Sequence, residues 1–143
     1  MSLKINLEFE KPVFKTEVLN LYDRTIRLWS FTYLPGYNAI YFNITTDNDR
    51  EYRVRKKTIR WTVNVLDFFE IGRNESKWVE SNLNDGSWDL SELTSLDAHT
   101  KIDISCVLEI KPNEETKQYE VLTGMYESKK LHFNALSDIV KVK

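Results

Sequence analysis

The sequence predicts a mainly β protein, built as an antiparallel barrel or sandwich and interrupted by a short helical stretch around residues 76–96. Three observations support this prediction. Apolar and polar residues alternate with a period of two in several stretches, turn residues separate these stretches, and no strand-like stretch is followed by a long amphipathic helix. The last observation argues against a parallel α/β fold.

The first half of the chain contains four strand-like stretches. Residues 3–10 alternate strictly, and residues 13–19 form a weaker second strand. Residues 25–34 and 37–46 are rich in β-branched and aromatic residues and flank Pro35-Gly36, so we expect them to pair as a hairpin.

A longer stretch follows, over residues 51–69. It exceeds the usual length of one flat strand, so we expect a bend or bulge near Lys56 and Lys57.

At the start of the second half, the residue pattern changes from strand-like to helix-like. Residues 76–83 and 89–96 resemble short helical turns, with Asp89 as a possible cap. Alternation returns over residues 101–111, and residues 118–126 form the return strand of a predicted hairpin. The pattern over residues 131–142 fits either a short helix or a final strand. This order of elements fits an OB-like barrel, and a β-sandwich remains the alternative.

Length and composition predict a single β-rich domain spanning residues 1–143. No apolar run approaches the roughly 20 residues that cross a bilayer, so we expect no membrane partner. The sequence has one cysteine, Cys106, and no apolar signal sequence at its start. Together these features predict a cytoplasmic protein.

The charges are distributed unevenly. Six basic residues and one acid lie between Arg50 and Arg60, although the net charge of the chain is −2. Residues 67–97 contain eight acids and only two bases, and they balance the basic run. A positive stripe in an acidic chain suggests contact with a polyanion such as nucleic acid.

The basic run has the spacing of a phosphate-binding strand. On a strand, Arg53 and Arg55 point to one face, about 7 Å apart, while Tyr52 and Val54 point to the other. We expect three further cations to widen this track, and four aromatic residues and one more arginine to provide stacking and charge nearby. The cations are Lys56, Lys57 and Arg60, and the second group is Trp61, Arg27, Trp29, Tyr33 and Tyr37.

Each of these features has a structural alternative. Trp29 and Tyr33 alternate on one face, as core residues of a strand also do. The basic run can instead be a solvated edge that prevents aggregation, or it can pair with the acidic segment.

The sequence contains few residues in the patterns typical of catalytic or metal sites. His99 and His132 are isolated from other metal ligands, and each glycine stands alone rather than in a phosphate-binding loop. Cys106 occupies an inward position of an alternating strand, which predicts a buried thiol. We expect no enzyme activity, no cofactor and no metal.

Three elements resemble small phage-type single-stranded-DNA-binding proteins with an OB-like barrel. They are the strand over residues 52–65 with its cations and Trp61, the segment 88–93, and the hairpin 101–110/118–126. The resemblance covers about half of the chain as an order of elements, and it implies binding of single-stranded DNA. Many such proteins end in an acidic tail that recruits partners, whereas this sequence ends Lys141-Val142-Lys143.

Three functions follow, in order of preference. The first is non-catalytic binding of single-stranded nucleic acid through the basic and aromatic β surface. The second is a structural, assembly or inhibitor role for a phage or mobile element, through contacts between copies of the chain or with another protein. The third is a small-molecule-binding barrel lined by aromatic residues.

Overall fold

The computed structural model describes residues 2–58 and 65–141. Over these ranges the chain forms strands and a few very short helices. The strands are β1 Leu3–Glu10, β2 Val13–Asn20, β3 Ile26–Trp29, β4 Ile40–Thr46, β5 Glu51–Lys56, β6 Phe68–Ile71, β7 Ser76–Ser81, β8 Trp88–Asp89, β9 Ile102–Ile110, β10 Gly124–Glu127 and β11 Leu131–Phe133. The helices are α1 Leu34–Tyr37 and α2 Glu114–Gln118, and single 3-10 turns span Ser91–Leu93 and Leu136–Asp138.

The strands form three sheets, and every pairing is antiparallel. One sheet has the order β1-β2-β7, and β3 pairs with β6 in a second. The largest has the order β10-β9-β4-β5-β8, with β11 also paired to β9. The mainly β class and the antiparallel arrangement are confirmed. No sheet closes on itself within residues 2–58 and 65–141, so the barrel is not confirmed.

The core lies between the three-stranded sheet and the six-stranded sheet. Phe14 on β2 contacts Phe42 on β4, with 5.4 Å between ring centroids, and both side chains are fully buried. The hydroxyl of Thr16 donates to the sulfur of Cys106 on β9 over 3.5 Å. The predicted inward position of Cys106 is therefore confirmed, and its burial raises the pKa of the thiol to about 12.

The predicted hairpin around Pro35-Gly36 is wrong. Strand β3 pairs with β6, whereas β4 pairs with β5 and β9. Residues Leu34–Tyr37 instead form α1, and the backbone of Gly36 packs so tightly that an added Cβ would lie 2.0 Å from the carbonyl oxygen of Ser30. Only glycine fits this close approach, so Gly36 marks backbone packing rather than a hairpin turn.

The prediction of helical turns over residues 76–96 is wrong in its first half and right in its second. Ser76–Ser81 is strand β7, which pairs with β2 along six residues. Ser91–Leu93 is a single 3-10 turn, preceded by Asp89, whose carboxylate accepts a hydrogen bond from the Ser91 N–H at 3.0 Å. Long-range pairing with β2 thus overrides the weak local pattern of residues 76–83.

Three further predictions concern β9 with β10, the end of β5 and the last segment. Strands β9 and β10 pair, but the return strand begins only at Gly124, because residues Glu114–Gln118 form α2 behind an Asn113 cap. Strand β5 ends at Lys56, next to the predicted bend, whereas residues 59–64 of the predicted long strand lie outside the described residues. The segment predicted as either a short helix or a final strand, residues 131–142, contains strand β11 followed by a 3-10 turn.

Asn20 joins two sheets at the end of β2. Its side chain is fully buried and donates to the carbonyl oxygens of Arg24 and Ile71, at 2.8 and 2.9 Å. The side-chain Oδ1 of Asn20 accepts from the Tyr22 N–H at 2.9 Å. Because Ile71 lies on β6, this amide connects the three-stranded sheet to the β3–β6 pair.

We predict that Asn20→Ala lowers the free energy of unfolding by about 1–3 kcal/mol, because the buried carbonyl of Ile71 loses its donor. Urea unfolding followed by tryptophan fluorescence measures this change. The control is Asn134→Ala at an exposed position, which should stay within about 0.5 kcal/mol of the wild type. Equal effects of the two substitutions would contradict the role assigned to Asn20.

Candidate nucleic-acid interface

Strand β5 presents its two arginines on the outer face of the six-stranded sheet. Arg53 and Arg55 are exposed, whereas Val54 between them is fully buried and Tyr52 packs against the core. This alternation is the predicted one. It arises because successive side chains of a strand point to opposite faces, so an apolar residue in the core leaves its neighbours in solvent.

Both arginines lie over one aromatic ring, that of Tyr41 on β4. The guanidinium carbons of Arg53 and Arg55 are 4.5 and 4.3 Å from the ring centroid. Tyr41 is only 1% exposed, although it faces away from the main core. A cation above a ring face uses none of its N–H donors, so each guanidinium keeps its hydrogen-bonding capacity for a ligand.

The Tyr41 hydroxyl is fixed by a hydrogen bond. It donates to Oε1 of Glu109 on β9 over 3.0 Å. Burial raises the pKa of the Tyr41 phenol, and the hydrogen bond to Glu109 acts in the same direction, while Arg53 and Arg55 oppose the shift. The ring therefore stays neutral at physiological pH and remains a good partner for the two cations.

Lys56 lies between two further rings at the end of β5. Its Nζ is 4.6 Å from the centroid of Tyr37 and 5.6 Å from that of Trp88. Burial lowers the pKa of Lys56, and the nearby Asp85 opposes this shift. Lys57 is exposed and follows the strand directly, so the positive track continues past its end.

The acidic segment lies beside β5, because β8 pairs with Arg55 and Lys56. Its carboxylates nevertheless bind other groups. Asp85 accepts from the Ser87 N–H and hydroxyl, and Glu92 accepts from the backbone N–H of Arg53 at 3.1 Å. These carboxylates are therefore used in local turns and at the strand edge.

The four cations of this track form no ion pair within the part of the chain that the structure describes. The ion pairs found there join Lys15 to Glu10, Arg27 to Glu70 and His132 to Asp103. The sequence-based alternative, in which the basic run pairs with the acidic segment, is right that the two lie side by side. Asp85 attracts Lys56, and Lys57 attracts Asp89, but neither pair is close enough to form an ion pair. The guanidiniums of Arg53 and Arg55 remain available to a ligand.

Arg27 does not belong to this surface, contrary to the prediction. Its guanidinium donates to the carbonyl oxygen of Tyr119 at 2.7 Å and pairs with Glu70 at 3.2 Å. It also lies over the ring of Phe68, 4.3 Å from the centroid. These three contacts engage Arg27 within the fold, where it holds β3 to β6.

Trp29 and Tyr33 are core residues rather than stacking platforms. They are 1% and 7% exposed, and their ring centroids are 5.1 Å apart. The Tyr33 hydroxyl donates to Glu115 over 2.9 Å, and burial raises the pKa of this phenol. A base cannot stack on rings that the protein already covers, so the stacking role predicted for them is wrong.

The other predicted residues divide into two groups. Tyr37 is half-buried, contacts Lys56 and donates its hydroxyl to the carbonyl oxygen of Lys57 at 3.1 Å, so it joins the predicted cations. Arg60 and Trp61 lie outside the described residues.

A cleft of about 240 Å³ adjoins Arg55, and sequence reasoning did not identify it. Its lining comes from β3, α1, β5, the end of β9 and the residues before α2. The pairing of β4 with both β5 and β9 places two of these elements on either side of one strand. The lining residues are Trp29, Pro35, Asn38, Arg55, Glu109, Ile110, Lys111 and Asn113.

No group of three or more histidine, cysteine or acidic side chains within residues 2–58 and 65–141 lies close enough together to hold a metal ion. No helix in these ranges has the length and apolar character needed to cross a bilayer.

Comparison with known proteins adds no name to this surface. The sequence matches no protein-family model and no curated protein. The cations of β5 and the rings beneath them are the features that indicate a function.

We predict that Tyr41→Phe destabilises the protein by about 1 kcal/mol at about pH 8, because the hydrogen bond to Glu109 is lost. The folded-state pKa of Tyr41 is raised, so this bond stabilises the protein fully below about pH 10, the unfolded value. The stabilisation is lost as the pH rises through the folded pKa.

Urea unfolding of the wild type and the variant at about pH 8 and pH 11 tests this prediction. The difference between the two proteins should shrink at the higher pH. An equal difference at both pH values would contradict the assigned hydrogen bond.

Proposed function

We propose that this protein binds single-stranded nucleic acid without catalysing a reaction, through Arg53, Arg55, Lys56 and Lys57. The observation that carries the proposal is the pair of guanidiniums held over the buried Tyr41 ring without a carboxylate partner in the described residues. Such cations are already positioned, so binding costs less side-chain entropy than for free arginines. An anionic ligand supplies the acceptors that the protein does not.

The spacing of the cations fits a phosphate backbone. Arg53 and Arg55 are two residues apart on one strand face, which separates them by about 7 Å along the strand. Successive phosphates of an extended strand can contact successive guanidiniums. Lys57 adds an exposed cation just past the end of the strand. Lys56 points to the opposite strand face, beside Tyr37 and Trp88, and adds positive charge at the strand end. A guanidinium is also well suited to phosphate oxygens, because its donors form a planar fork.

A single strand suits this surface better than a duplex. The major groove of a duplex accepts an α-helix or a free two-stranded ribbon. In the described part of the chain, the α-helices are only four and five residues long, and β4 and β5 are held within a sheet by β9. A flexible strand can instead follow the flat face of the sheet.

A protein-assembly role is the second candidate, and one observation favours it. Trp78 is 48% exposed on β7, the edge strand of the three-stranded sheet. An exposed tryptophan is a common anchor in protein contacts. This role predicts self-association or capture of a partner protein in the absence of nucleic acid.

Fluorescence anisotropy of a labelled oligo-dT tests the first proposal. If four phosphates are neutralised, raising the salt from about 50 to 200 mM should weaken binding about 50-fold, because affinity follows counterion release. The double variant Arg53→Gln/Arg55→Gln should reduce this ratio to about 7-fold, since two phosphate contacts remain.

The control is Lys4→Gln/Lys11→Gln, which removes the same charge from exposed positions of the three-stranded sheet and its hairpin. It should leave the salt dependence unchanged. Equal losses in the two variants would reject the site. Binding that does not change with salt, or no binding at low salt, would reject the function. Concentration-dependent sedimentation without nucleic acid would then support the assembly role.

A further inference from the structure

The cleft beside Arg55 combines cations, amides, apolar groups and one carboxylate, that of Glu109. Arg55 and Lys111 provide two cations, and Lys111 directly follows β9. Asn38 at the end of α1 and Asn113 at the start of α2 provide two amides. Pro35 provides the accessible apolar lining, and the buried side chains of Trp29 and Ile110 lie behind it.

The amides of the cleft keep hydrogen-bonding capacity. The Oδ1 of Asn113 accepts from the Thr116 N–H at 2.8 Å, which leaves its amide N–H donors for another partner. The side chain of Asn38 is exposed and has no hydrogen-bond partner within residues 2–58 and 65–141. Glu109 accepts from Tyr41 through Oε1, and its second oxygen can accept from a ligand.

The size and position of the cleft limit its ligand. Its volume of about 240 Å³ is below the range of roughly 300–1,000 Å³ that drug-sized ligands occupy. Its rim includes Arg55, which also belongs to the positive track on β5. A ligand that enters the cleft therefore remains in contact with the track.

We infer that the cleft holds one unpaired base of the bound strand, with the phosphate on one side of that nucleotide on Arg55 and the phosphate on its other side on Lys111. A base has apolar faces and a polar edge, which match the apolar lining and the amides of Asn38 and Asn113. This inference rests on the proposed function and adds base selectivity to it. A purely electrostatic surface would bind all sequences alike.

Binding of oligo-dT, oligo-dA and oligo-dC to the wild type and to Asn38→Ala tests the inference. The readout is the ratio of the two affinities for each oligonucleotide, because stacking within the free DNA then cancels. Asn38→Ala should weaken binding of at least one oligonucleotide by about 5-fold more than another, the lower end expected for a bidentate contact to a base. The steep salt dependence should remain.

Two further variants complete the experiment. The control Asn134→Ala removes an exposed amide away from the cleft and should leave all three ratios at one. Lys111→Gln should lower the salt dependence by one phosphate contact, which provides a second test that does not depend on Asn38.

Each outcome separates the two proposals. Ratios that are equal for the three oligonucleotides, together with a full salt dependence in Lys111→Gln, would overturn the base pocket and leave the proposed function intact. Absence of salt-dependent binding in the wild type would overturn both.

Discussion

The pairing of β4 with β9 is the constraint on which the rest of the structure depends. It joins residues about sixty positions apart over seven residue pairs, from Ile40 with Leu108 to Thr46 with Ile102. On the inner face it places Phe42 beside Cys106, where β2 covers both. On the outer face it allows Tyr41 to donate to Glu109 and fixes the ring on which the β5 arginines lie. One strand pairing therefore builds both the core and the candidate site.

The positive charge of the site persists because the carboxylates beside β5 accept hydrogen bonds from the backbone. The chain has a net charge of −2, yet Asp85, Asp89 and Glu92 beside β5 accept hydrogen bonds from backbone N–H groups. An exposed cation that lies over a ring gains about 0.5–1 kcal/mol, close to the value of an exposed ion pair, about 0–1 kcal/mol. Placing arginines over Tyr41 thus fixes them as well as an ion pair would, without neutralising them.

The sequence predicted local features well and long-range features poorly. Strict alternation identified β1 and β9, and the spacing of Arg53 and Arg55 identified the outer face of β5. Both predictions succeeded because successive side chains of any strand point to opposite faces. The sequence could not decide whether Trp29 was core or surface, because both faces of residues 25–34 are apolar. The choice depends on β6 as the partner of β3, a contact between distant residues that local pattern does not encode.

Two-dimensional NMR of the arginine side chains tests the central claim most directly. The Nε–H signals of Arg53 and Arg55 should shift when oligo-dT is added at low salt, because both guanidiniums lie over Tyr41 without a carboxylate partner in the described residues. The indole N–H of Trp78, exposed on the three-stranded sheet, should stay unchanged in the same spectra. A shift of Trp78 with unchanged arginine signals would contradict the account and place the ligand on the other sheet.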